Sequence, residues 1–123
     1  MSVKLFTVAG RLASFKFAFS GLWSILKTQH NAWLHMTATV LVCIAGAWLK
    51  ISATDWRWLV VAIALVWFAE AMNTAFEYLC DVVSPEFHSS VKKAKDIAAG
   101  AVLICAAGAA GLGAMVFLPY LAK

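Results

Sequence analysis

Charge is scarce in this sequence. Ten basic and six acidic side chains are all it has among 123 residues. With 63% of the residues hydrophobic, there is too little polar surface to cover a helical bundle in water. Uninterrupted apolar sequence is missing from the N-terminal segment, where Lys4, Arg11, Lys16 and Lys27 recur. A removable signal peptide needs such a core, so none is expected. Metal-type cysteine spacing is absent too. Cys43, Cys80 and Cys105 fall in or beside apolar stretches and read as small buried thiols. Neither a P-loop nor a glycine-rich nucleotide fingerprint occurs, so any nucleotide must be held by scattered residues.

Long apolar runs are present instead. Ala32–Ile51 is broken only by His35, hydroxyl residues and Lys50; Trp58–Ala69 continues past Glu70, Asn73 and Glu77 to Leu79. Ile97–Leu118 has no charge at all. A bilayer core of roughly 30 Å needs about 20 such residues in a helix. The expectation is an all-α membrane protein of one domain, 1–123, with transmembrane helices over 32–51, 56–81 and 95–119. Ahead of them, within residues 1–30, Leu12, Phe15, Phe19, Leu22, Trp23 and Leu26 recur every three or four positions. That spacing predicts an amphipathic surface helix lying in the membrane interface, or packed on the bundle. Gly46, Gly108, Gly111 and Gly113 read as packing residues. Ala101, Cys105, Ala109 and Gly113 form a small-residue row that lets another helix approach.

Basic residues orient the chain. Lys4, Arg11, Lys16, Lys27, Lys92, Lys93 and Lys95 lie on one side, against Lys50, Arg57 and Lys123 on the other. The richer side, with the N-terminus, is expected in the cytoplasm. No nucleic-acid partner is expected.

The second span departs from a plain anchor. Glu70, Asn73, Glu77 and Asp81 fall within about 80° of one another on a helix, with Thr74 on the same side. Ionisable groups in lipid cost at least about 2.5 kcal/mol each. The two glutamates have no evident basic partner inside the span, which makes a purely structural polar seam the poorer reading. Three helices alone enclose such a stripe poorly, so neighbouring subunits are expected to supply a wall. Counting from Trp56 at the outer interface, Glu70 lies about 21 Å inward and Glu77 roughly 10 Å further. Lys92, Lys93, Lys95 and Asp96 begin the third span on the cytosolic side, a natural place for phosphate. Together these suggest MgATP below, a membrane-embedded alcohol above, and Glu70 between them as general base. The competing class is a non-enzymatic oligomeric carrier that titrates Glu70 with protons. His30 reads as a solvated residue beside headgroups. His35 reads as an interface anchor or as a contact to substrate.

The stretch Glu70-Ala-Met-Asn73-Thr-Ala-Phe-Glu77, followed by Asp81-Val-Val-Ser-Pro-Glu86-Phe-His88 and Lys92-Lys-Ala-Lys95-Asp96-Ile-Ala-Ala-Gly100, resembles the small bacterial membrane diacylglycerol kinase/undecaprenol kinase family. The resemblance covers nearly the whole chain. It implies a homotrimer in the bacterial cytoplasmic (inner) membrane, with active sites shared between protomers and ATP with Mg²⁺ as phosphoryl source. It implies Glu70 as the base, Asn73 beside the reacting phosphate, and Glu77 on the metal. Asp81, Glu86, His88, Lys95 and Asp96 would serve the nucleotide, and Asn31, His35 and Ala99 the lipid. Three positions depart from the pattern. Gln29 stands where a second metal-binding glutamate is usual, Phe17 replaces a tyrosine near the nucleotide, and Arg11 is one place from the usual arginine. The Ser84–His88 loop is closer to the undecaprenol branch, while Asn31 and His35 offer donors that diacylglycerol would use.

Overall fold

The computed structural model describes residues 5–123, and Lys4 lies outside them. Four helices follow one another: α1 (Val8–Thr28), α2 (His30–Leu49), α3 (Ala53–Val83) and α4 (Ser89–Leu121). The last three are long and apolar enough to cross a membrane. At 1.5 Å per residue α2 is about 30 Å long, while α3 and α4 reach about 46 and 50 Å. The excess puts the C-terminal turns of α3 and the first turns of α4 beyond the apolar layer, at the end where α1 lies.

The helix ends differ from the expected ones, for local reasons. Each of the three spans begins earlier than its hydropathy suggests. Ser52 caps α3, its Oγ accepting from the Asp55 N–H at 3.1 Å, so the helix opens before Trp56. His88 caps α4, its Nδ1 accepting from the Ser90 N–H at 3.2 Å, so this helix opens before Lys95. The first span stops at Leu49 because Lys50 turns left-handed (φ 53, ψ 50). There the Ile51 and Lys50 N–H groups reach back to the Gly46 and Ala47 carbonyls, the double closure of a Schellman motif. Ile51 is thereby delivered to a small core with Leu59 and Val116, flanked by Trp56, Phe117 and Tyr120. Tyr120 ties this far end shut. Its hydroxyl donates to Asp55 at 2.6 Å and accepts from the Ser52 N–H at 3.0 Å.

Gly46 has a definite reason to be glycine. A Cβ there would stand 2.8 Å from the Trp56 ring. Gly108, Gly111 and Gly113 face open space, so within this chain they bring no helix closer. Two members of the α4 small-residue row border a groove. Ala109 and Gly113 line it between α2, α3 and α4. Cys80 is buried as expected, but Cys43 is exposed.

The surface helix is set off by Gln29, whose extended backbone (φ −107, ψ 116) breaks the helical run. The Trp33 Nε1–H donates across this elbow to the Leu26 carbonyl at 2.6 Å, fixing α1 against α2. Leu12, Phe15, Phe19 and Trp23 are each more than half exposed, and Ile25 is the buried residue of α1. Packing on the bundle therefore does not cover this apolar face. A bilayer interface would.

Candidate active site

A carboxylate inside an apolar layer must be enclosed by protein, and the geometry of α3 achieves this in graded fashion. Glu70 is 1% exposed, and Asn73 and Thr74, one turn on, are buried with it. Glu77 is half-buried and Asp81 is exposed. The stripe thus runs from a closed upper part to an open lower part. The expectation that three helices enclose it poorly is corrected for the upper part, which α2, α3 and α4 bury within one chain.

The expectation that the acids lack a basic partner is corrected as well. His35 Nε2 lies 3.2 Å from Glu70 Oε2. His35 is no interface anchor: it sits in the second turn of α2 with its side chain 16% exposed. Trp67 stacks edge-on against its ring, with centroids 6.1 Å apart. Trp67 Nε1–H donates to Thr39 Oγ1 at 3.1 Å, and Thr39 in turn donates to the His35 carbonyl at 2.7 Å. Thr39 and Trp67 went unnoticed in the sequence. The signal was present, since Thr39 is four residues after His35 and Trp67 three before Glu70, so each shares its partner's helix face.

Two polar atoms beside Glu70 have nothing to bind. Asn73 Oδ1 and Thr74 Oγ1 are buried without hydrogen-bond partners among the described residues. A buried polar atom left without a partner costs about 1–3 kcal/mol, and these two lie one turn along α3 from the buried carboxylate.

At the open end the charged residues form two ion pairs. Lys95 Nζ lies 2.9 Å from Asp81 Oδ1, joining α4 to α3, whereas Asp96 pairs with Lys92 at 2.6 Å. Lys95 and Asp96 are therefore neighbours in sequence that serve separate ion pairs. His88 is engaged in capping α4, and Glu86 is exposed on the connecting loop. Tyr78 Oη donates to Thr28 Oγ1 at 3.4 Å, which brings the α1–α2 elbow beside the residue that follows Glu77. Gln29, half-buried at this elbow, donates its amide N–H to Thr28 at 3.2 Å, and its side-chain oxygen has no hydrogen-bond donor among the described residues. Among the described residues, no three His, Cys, Asp or Glu side chains gather as a ready metal cage.

Two residues are not brought to this end. Arg11 and Phe17 lie on α1 about 25 and 16 Å from Thr28, measured along the helix axis. Arg11 sits 5.4 Å over the Phe6 ring, and Phe17 is 72% exposed. Ala99, offered for the lipid, is exposed on α4. Asn31 is exposed on the first turn of α2, a turn away from His35.

The groove completes the site. It has a volume of about 350 Å³ and extends from His35 and Thr39 past Val66, Ala109 and Gly113 to Phe117. Apart from His35 and Thr39 its walls are apolar, and both of those side chains already have hydrogen-bond partners.

Comparison with known proteins places this arrangement. Residues 16–117 match the family profile described as prokaryotic diacylglycerol kinase. The chain is 34% identical over 108 residues to an undecaprenol kinase of Bacillus subtilis, covering 88% of each protein. It is 37% identical over 109 residues to a diacylglycerol kinase of Synechocystis, covering 88% of this chain and 62% of that one. A diacylglycerol kinase of Escherichia coli is 33% identical over 67 residues, about half of each chain. These likenesses set aside the carrier reading, and with three spanning helices they make this a bacterial membrane protein. The chain belongs to the prokaryotic diacylglycerol kinase family and is a lipid kinase.

Proposed function

We propose that this kinase transfers the γ-phosphoryl group of ATP to undecaprenol, with Glu70 as general base. The observation that carries the reading is the buried group of Glu70, Asn73 and Thr74, where two polar atoms are left unbonded beside a carboxylate. An alcohol entering there donates its O–H to Glu70, which takes the proton as the oxygen attacks the γ-phosphorus and ADP departs.

The groove supports the choice of lipid. Diacylglycerol carries two ester carbonyls close to its hydroxyl, and they want donors. His35 and Thr39 are the polar side chains of the groove, and both are occupied. A polyprenol asks for no donor along its chain. Asn31 remains the donor that diacylglycerol would use.

The lower end suits the nucleotide. Glu77 is the carboxylate assigned to magnesium, and the free amide oxygen of Gln29 is a neutral second donor. One charge and one amide fit an ion that arrives already bound to phosphate oxygens. Bound magnesium would offset the phosphate charge that develops in transfer. Lys95, with Asp81, Glu86, His88 and Asp96 around it, lies where the phosphates would approach. Arg11 and Phe17 are too far along α1 to reach the Glu77 of their own chain. Their role at a nucleotide therefore needs a neighbouring protomer, which supports a homotrimer with shared sites. The basic end then faces the cytoplasm, where ATP is, and the membrane is the inner one.

The test is turnover with undecaprenol and with diacylglycerol, side by side in the same micelles with MgATP. Undecaprenol is expected to be the faster substrate. Glu70→Gln should abolish transfer with trimer assembly intact. A higher diacylglycerol rate would overturn the lipid assignment alone.

A further inference from the structure

We propose that His35 is a positioning residue for the base, acting on Glu70 and not on the substrate. The inference rests on the reading of Glu70 as the base. An ionised carboxylate can only accept hydrogen bonds. At 3.2 Å from Glu70 Oε2, the His35 Nε2 must therefore carry the proton whenever Glu70 is ready to act. That bond is the one side-chain hydrogen bond made by the buried carboxylate among the described residues. A carboxylate held through one oxygen presents the other to the incoming hydroxyl.

The ring is held from behind. Trp67 closes on it edge-on, with an interplanar angle of 68°. Thr39 bonds both the Trp67 indole and the His35 carbonyl. Four side chains on two helices thus form one bracket: Thr39 and His35 from α2, Trp67 and Glu70 from α3. Orientation of a reacting group by a partner that never touches substrate is worth about 10–100-fold where it has been measured at metal sites.

Two amides separate the alternatives. In His35→Gln the side-chain nitrogen reaches about as far as the imidazole Nε2 and still donates. In His35→Asn the amide stops short. Rates of lipid phosphorylation would be measured for both, with thermal unfolding in the same detergent and with Glu70→Gln as the reference. His35→Asn is expected to lower kcat about 10–100-fold, with KM for ATP and for lipid within about twofold of wild type. His35→Gln should recover most of the loss. A change confined to the lipid KM would make His35 a substrate contact and overturn the proposal. So would near wild-type kcat in both variants, or a folded His35→Gln as inactive as Glu70→Gln. That last variant decides the matter even should His35→Asn not fold. Retained transfer in Glu70→Gln would remove the base assignment itself, a result distinct from any of these.

Discussion

Lys95 Nζ lies 2.9 Å from Asp81 Oδ1, so the first turns of α4 are pinned to the last turns of α3 by an ion pair at the open end of the acidic stripe. Asp81 is 66% exposed and Lys95 35% exposed. A pair this wet contributes no more than about 1 kcal/mol to stability. Lys95→Met should therefore shift the unfolding midpoint very little while raising KM for ATP markedly. Asp81→Asn should release Lys95 without removing its charge, and so leave ATP affinity closer to wild type. Steady-state kinetics beside a thermal melt checks both. An equal loss of stability in the two variants would make the pair structural.

Asn73 and Thr74 set function against stability. Their unpartnered atoms each destabilise the folded chain by about 1–3 kcal/mol. Thr74→Val, which removes that oxygen at similar volume, should leave the melting temperature unchanged or raise it, whereas Asn73→Leu also adds volume at a buried site and is read by its rate. Asn73→Leu should lower kcat by at least about tenfold. A lower melting temperature in Thr74→Val would show that its hydroxyl finds a partner within the protein, and the site reading would lose its main support.

Gln29 offers a gain. Replacing it by Glu adds a negative charge at the α1–α2 elbow, beside the magnesium assigned to Glu77. Even in water two unit charges 4 Å apart attract by about 1 kcal/mol, a factor of roughly five. The magnesium concentration for half-maximal rate should fall at least that much in Gln29→Glu. An unchanged titration would remove Gln29 from the metal site.

Gly46 tests the packing of the far end. Gly46→Ala places a methyl group 2.8 Å from the Trp56 ring and 3.1 Å from Ile51, and overpacking of this kind costs about 1–3 kcal/mol. Gly21→Ala on α1 meets nothing within 4 Å and should be neutral or slightly stabilising. Thermal unfolding in one detergent compares them directly. Equal melting temperatures would show that Trp56 moves aside freely.

Much of the fold was legible because a membrane asks a simple question of a sequence. Runs such as Ala32–Ile51 and Ile97–Leu118 answer it by length and apolarity alone, and Glu70, Asn73 and Glu77 stand out against so plain a background. Helix ends were less legible. Ser52 and His88 act through caps, and Lys50 through a left-handed turn, and hydropathy does not register either device.

Composition and spacing by themselves determined the three spans and the shared face of Glu70, Asn73 and Glu77. These depend on transfer free energy and on the 3.6-residue period, both properties of local sequence. Only the tertiary structure decided that Glu70 meets His35, that Lys95 answers Asp81 and not Asp96, and that Asn73 Oδ1 is left unbonded. Those outcomes depend on the rotation and depth of α2 and α4 against α3. They are set by Trp33 across the elbow, by the Schellman turn at Lys50, and by the Tyr120 tie to Asp55, which joins residues 65 apart in sequence.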